Sequence, residues 1–138
     1  MKTKGDFAIA IQILLSCARN PETRICSSKL AEPVGVHASR IRTIVAKLVK
    51  AGILIAHEGR SGGVQLKRPA GKIDLEEVLR VVDPSPFIKI HETPKSSECP
   101  VGCGMAKVMK LVHSKVEDSA RKSLRSFRLD DLLEVVSE

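Results

Sequence analysis

Gly59, Gly62 and Gly63 fall between the apolar run GILIA and the alternating run VQLKR. This cluster constrains the fold more than any other stretch. Glycine lets a chain reverse through positive φ, and both flanking runs have the length and apolar pattern of short strands. Residues 57–68, HEGRSGGVQLKR, therefore read as a β-hairpin with Arg60 and Ser61 near its tip. A solvated cation on an ordinary surface turn would leave the same pattern. What Arg60 does depends on the elements around the hairpin.

Upstream, Phe7, Ile11, Leu14, Leu15 and Ala18 recur at helical spacing, so a first helix is expected from about Asp6 to Arg19, ending at Asn20-Pro21. In CSSKLAEPVGVHASRIRTIVAKLVKAGIL, Ser27 or Ser28 can cap a short helix that Pro33 and Gly35 then break. Ser39 falls in the first turn of another helix, in which Ile41, Ile44, Val45 and Leu48 form an apolar stripe. Arg40, Thr43, Lys47 and Lys50 take another face, and Gly52 is the helix stop. Helix, turn, helix and a glycine-tipped hairpin in this order make a winged helix-turn-helix, whose second helix enters the major groove of duplex DNA while the hairpin reaches the backbone or minor groove. A cation on a slim tip suits that approach, because a narrow minor groove has a strongly negative potential.

After the hairpin, Asp74 can cap a helix to about Val82. Residues 83–98, DPSPFIKIHETPKSSE, lose all periodicity and read as a loop with a sensing role. From Cys99 a seam of Met105, Val108, Met109, Val112, Val116, Ala120 and Leu124 runs at steps of three and four. It predicts one helix from Pro100 to about Ser126, roughly 40 Å long at 1.5 Å per residue. A domain of this size cannot cover such a helix, so the seam is expected to pair with a second copy in a twofold dimer. The alternative is a helix folded back on the first. LDDLLEVV reads as a short closing helix. The expected fold class is mainly α with a small β-hairpin: a winged helix-turn-helix DNA-binding domain over 1–82, the loop over 83–98, and a long dimerisation helix with a short C-terminal helix over 99–138.

Charge favours the same partner. The chain has 138 residues, 23 Lys and Arg against 16 Asp and Glu, and a net charge of +7, which suits a polyanion whose counterions are released on binding. Phe7, Phe87 and Phe127 are its whole aromatic complement, too few for base stacking on an exposed sheet, so double-stranded promoter DNA is expected rather than single strands. No apolar run reaches the about 18 residues of a membrane span, so no membrane partner is expected. Lys2 and Lys4 before FAIAIQILLSC resemble an export signal ending at Cys17, but Asp6 and Gln12 interrupt it and the helical spacing accounts for the segment. A cytoplasmic location is expected, where four cysteines stand reduced.

The segments KGDFAIAIQILL, VGVHASRIRTIVAKLVKAGIL, GRSGGVQLKRPAGKIDLEEVLRVVD and CPVG before a long helix resemble the Rrf2 family of bacterial winged-helix transcription regulators, over nearly the whole chain. The resemblance implies a cytoplasmic homodimer that binds a palindromic operator, usually as a repressor, and senses a signal through the loop and the start of the long helix. Carried over, it implies DNA contacts from His37, Ala38, Ser39, Arg40, Arg42 and Thr43 in the recognition helix, from the wing at 59–63 with Arg60, Ser61 and Gly62, and from Lys2 and Lys4. Ser28 and Lys47 join this expected set. Many relatives carry an arginine just before the first wing glycine, where this chain has Glu58. The wing arginine here is Arg60.

Some members of the family hold an iron-sulfur cluster on three cysteines before the long helix; this chain has Cys99 and Cys103 there. A cluster takes about four ligands, mostly thiolate, so none is expected, and zinc on His91, Cys99, Cys103 and His113 is the remaining metal reading. No cofactor is required. A thiol switch fits better. Pro100 suits the first position of a helix, leaving Cys99 at its cap, where amide groups and the helix dipole stabilise a thiolate. A disulfide between Cys99 and Cys103 would strain a regular helix, so Cys26 is the alternative partner thiol. The contrary reading is an inert cysteine. Cys17 reads as core.

No Ser/His/Asp order, phosphate loop or metalloprotease motif is present, and C-x-x-x-C is not the C-x-x-C of thiol oxidoreductases, so the protein is not expected to be an enzyme. A metal-responsive regulator and a winged helix that binds only protein are the competing functions.

Overall fold

The computed structural model describes residues 5–88 and 98–137. Its elements are α1 (Gly5–Arg19), α2 (Ser27–Val34), α3 (Ala38–Lys50), β1 (Leu54–His57), β2 (Gly63–Leu66), α4 (Leu75–Val82), α5 (Pro100–Arg125) and α6 (Leu129–Ser137), with a 3-10 turn over Ala70–Lys72. The chain divides into two units, one of residues up to 84 together with those from 124, the other of residues 85–123.

In the first unit the apolar stripes meet as their spacing requires. Ile13, Leu14 and Cys17 of α1, Ile41, Ile44 and Leu48 of α3, and Ile53 and Leu54 at the head of β1 are almost wholly excluded from solvent. Burial pushes the Cys17 thiol up to about 11, as expected of an anion that would lose its hydration. The end of α3 follows from Gly52, which adopts φ 76°. Its amide donates to Val49 and that of Ile53 to Leu48, closing the helix with the two paired bonds of a Schellman motif. Every other L-residue would be strained at that φ, so the turn into β1 depends on this glycine.

Two local expectations need correction. The cap of α2 is Cys26 rather than Ser27 or Ser28: its backbone is extended, and Ser27 is already the first helical residue. Pro33 does not break α2 but lies within its last turn, and the helix stops at Gly35. A proline so near the end removes only one amide bond; the Gly35 amide still donates to the Ala31 carbonyl at 2.9 Å, and Leu30 and Ala31 are buried in the core. Asp74 caps α4 as expected, accepting from the Glu77 amide at 3.0 Å.

β1 and β2 pair antiparallel, with Leu54 opposite Leu66 and His57 opposite Gly63. Ile25 forms a further bridge to Val64 on the outer edge of β2. Gln65 accepts or donates with His57 Nε2 at 2.8 Å and its amide donates to the Pro21 carbonyl at 3.2 Å. The root of the hairpin is therefore tied to the chain between α1 and α2, leaving residues 58–62 as the tip. Arg68 clamps the other end of the hairpin, donating to the carbonyls of Gly52 and Lys72 and, at 2.6 Å, to Glu77.

The closing segment returns to this unit. Leu75 and Leu129 exchange backbone bonds with Phe127 and Ile73, and Leu129 is fully buried. The stretch 99–138, read from sequence as one C-terminal piece, is thus shared between the two units. In the second unit, Glu117 is buried midway along α5. It accepts the Phe87 amide and lies 3.7 Å from His113 Nε2 and 3.9 Å from Arg121. No helix among the described residues is long and apolar enough to cross a membrane.

Candidate nucleic-acid interface

α3 is built to show one face. Ile41, Ile44, Val45 and Leu48 anchor it in the core, while His37, Ser39, Arg40, Arg42, Thr43 and Lys47 are exposed. His37 caps it: Nδ1 accepts from the Ser39 amide at 3.1 Å and lies 2.8 Å from Ser39 Oγ. Because Nδ1 is the acceptor, the neutral ring carries its proton on Nε2, a donor available to an outside partner. Ala38 packs half-buried against the core. Thr43 Oγ1 donates back to the Ser39 carbonyl at 3.1 Å, which leaves its lone pairs and methyl group for contact.

Two of the expected cations have partners within the fold. Arg40 donates through Nε (3.0 Å) and Nη2 (2.7 Å) to Asp6 of α1. Lys47 Nζ donates to the Val82 carbonyl at the end of α4, at 3.3 Å. Arg42 is exposed and has no charged partner among the described residues.

At the wing tip, two glycines are required by space, and Gly63 by its φ as well. A Cβ on Gly62 would meet the His57 carbonyl at 2.3 Å, and one on Gly63, at φ 147°, would meet the Ile25 backbone at 2.7 Å. Arg60, Ser61 and Gly62 of the tip line a hollow of about 480 Å³ together with Glu22, Arg24, Cys26 and Lys29. Sequence reasoning passed over Arg24 and Lys29, since neither shares a helix face with the recognition residues; only the bridge from Ile25 to the wing brings them there. Ser28 is exposed on the first turn of α2, its Oγ 3.2 Å from Cys26 Sγ. That hydroxyl, then the Lys29 amide, lower the Cys26 pKa from its ordinary value.

The other candidate thiols are in the second unit. Cys99 immediately precedes α5, and the amides of Gly102 and Val101 lower its pKa. Cys103 lies one turn on, its amide donating to the Cys99 carbonyl at 2.9 Å, and both residues are exposed. Along α5, Val108, Val112 and Val116 of the expected seam are exposed, and Met105, Met109, Ala120 and Leu124 are half-buried. Val101, 69 % exposed, extends the same stripe by one turn, and Leu111, at 60 %, flanks it. Both were missed from sequence. Lys2, Lys4 and His91 lie outside the described residues.

Residues 1–135 match the Rrf2 family, described as an iron-dependent transcriptional regulator. Protein aau3 of Rhizobium meliloti (strain 1021) is 29 % identical over 126 residues, covering 90 % of this chain and 79 % of that protein. A crystal structure of a candidate transcriptional regulator from Lactobacillus plantarum superposes with a TM-score of 0.86 at 21 % identity, over 99 % of this chain and 92 % of the other. The oxidised form of Staphylococcus aureus CymR does so with 0.73 at 23 % identity, over 97 % of both chains. For the iron of the family description, no ligand set is found among the described residues. Among the described residues no group of three or more His, Cys, Asp or Glu is placed to hold a metal, and His113 is turned to Glu117.

Proposed function

Because the chain belongs to the Rrf2 family of transcriptional regulators, we propose that it is a cytoplasmic homodimer that binds a palindromic promoter site through α3 and the wing and acts as a repressor. One observation carries this reading: the capped, polar start of α3 stands on a fully buried apolar stripe, in one unit with a glycine-shaped tip bearing Arg60. Such a helix can be read by a major groove without disturbing the core that holds it.

In this reading His37 Nε2, Ser39, Arg42 and Thr43 face base edges. Arginine is the residue suited to a bidentate contact with guanine. Arg60 reaches the backbone or the minor groove. The exposed valines of α5 pair with those of a second copy, since an apolar stripe of this length is costly to leave in water. Two copies then present two recognition helices to two half-sites.

Signal sensing is assigned to Cys99. Its thiolate attacks a peroxide oxygen, the S–O bond forms as the O–O bond breaks, and hydroxide leaves, taking a proton to become water. The sulfenic acid then condenses with a second thiol, releasing water. The reading needs no cofactor.

Footprinting on duplex DNA upstream of the protein's own gene tests the proposal, with reduced and peroxide-treated samples compared. A protected palindrome is expected, weakened by peroxide in the wild type but not in Cys99→Ser. Failure to retard any duplex at low salt would leave a winged helix that binds only protein.

A further inference from the structure

Resting on that DNA-binding reading, we propose that the hollow between the wing tip and the start of α2 seats the sugar-phosphate backbone of the bound DNA, with Arg24, Lys29 and Arg60 as its cationic walls. The three come from separate segments: the turn after α1, the first turn of α2 and the tip of the hairpin. Local sequence gives them no reason to meet. The backbone bonds between Ile25 and Val64 bring them together, and the same register excludes a side chain at Gly63.

Charge is the first argument. Three cations face one carboxylate, Glu22, across the hollow, and none of the three has an ion-pair partner among the described residues. By contrast, Arg40 and Lys47 of α3 are already engaged. Free positive charge therefore stands beside the recognition helix as well as on it at Arg42. A free cation set against a phosphate releases the counterion condensed on the DNA there, which supplies essentially all of non-specific duplex affinity.

Size is the second. The hollow has a volume of about 480 Å³. A lone tetrahedral anion fills only a small part of that space, which leaves room for an extended sugar-phosphate strand. Ser61 and Gly62 add little bulk to the rim, so a strand can approach closely.

The Cys26 thiol responds to some of the same groups. Lying in the same hollow, it is biased toward thiolate by Ser28, by the Lys29 amide and by the Lys29 charge. Groups that stabilise a negative sulfur there also stabilise a phosphate oxygen.

The test is the double variant Arg24→Gln, Lys29→Gln, two exposed side chains outside the recognition helix, with Arg80→Gln as a control cation. Binding is measured against salt on two duplexes, a fragment from upstream of the protein's own gene and a random sequence of about 30 base pairs, long enough for two half-sites one turn apart. The double variant should bind both duplexes more weakly by the same factor, roughly tenfold or more, because backbone contacts carry no sequence information, and its salt slope should fall by about two per subunit, about one for each cation removed. Arg80→Gln should match the wild type. Unchanged affinity and slope in the double variant would overturn the seat while DNA binding by the protein stands. A loss confined to the gene's own fragment would overturn it as well, by making these residues base readers. If millimolar inorganic phosphate raises the melting temperature of the wild type but not of the variant, and duplex binding is equal, the hollow holds a free ion and the proposal fails. If the wild type itself retards neither duplex at low salt, the DNA-binding reading falls and the seat falls with it.

Discussion

Arg40 Nη2 lies 2.7 Å from Asp6 Oδ1, and Nε of the same guanidinium lies 3.0 Å from that oxygen. The pair joins the first turn of α1 to the first turn of α3 and draws a recognition-helix cation toward its own fold. With side chains 49 % and 37 % exposed, it is worth only about 0.2–1 kcal/mol to stability. Asp6→Asn should therefore lower the unfolding free energy by less than about 1 kcal/mol in a denaturant titration. Arg40→Gln should weaken operator binding less than Arg42→Gln, since Arg42 has no such partner among the described residues. Equal losses would make Arg40 a base reader in its own right.

The wing tip should be intolerant of the smallest added side chain. Gly62→Ala and Gly63→Ala place a methyl group against backbone at 2.3 Å and 2.7 Å, and neither the His57 carbonyl nor Ile25 can move without breaking the hairpin or its bridge. Each should cost about 1–3 kcal/mol in thermal or chemical unfolding. Gly59→Ala, at φ 96° but with open space around it, should cost about 1 kcal/mol. If the three cost the same, close approach plays no part in shaping the tip.

Substituting the exposed face of α5 should separate the subunits. Val112→Glu places a carboxylate in the middle of the valine stripe of each copy. Burying it unpaired costs more than the ~1.5–3 kcal/mol that burial of the valine contributed. Sedimentation at micromolar concentration should show a dimer for the wild type and a monomer for the variant. A monomeric wild type would remove the dimer from the proposed function.

The cysteines should differ in reactivity by position. Thiolate is the nucleophile, and a lowered pKa keeps more of it at a given pH. Iodoacetamide labelling of Cys26 and Cys99 should therefore persist to lower pH than in the unfolded chain, falling off as each thiol protonates below its lowered pKa. Cys17, buried and pushed up to about 11, should label only after unfolding. Labelling of Cys99 no faster than in the denatured control would make it an inert cysteine.

Much of the fold was legible because its elements are written in short-range patterns. The stripe of α3, the Asp74 cap, the stop at Gly52 and the span of α5 follow from periodicity and from what single residues do to a backbone, and the structure agrees with each to within a residue or two. The capping of α2 was misassigned because two serines offered better side chains than Cys26. In the structure Cys26 keeps the extended backbone of a cap directly after the bridge from Ile25 to Val64, and Ser27 is already helical. Pro33 was read as a breaker on propensity alone, although near a helix end it removes only one bond.

By itself the sequence determined the order of elements, the face each helix buries and the need for a slim hairpin tip, because these depend on residues a few positions apart. Tertiary structure alone decided which cations remain free. Arg40 meets Asp6 across 34 positions, Lys47 meets Val82 across 35, and Arg24, Lys29 and Arg60 meet around one hollow. Coulombic and hydrogen-bonding partners are chosen by distance in space, and no local pattern records which side chains the packed core will bring within reach.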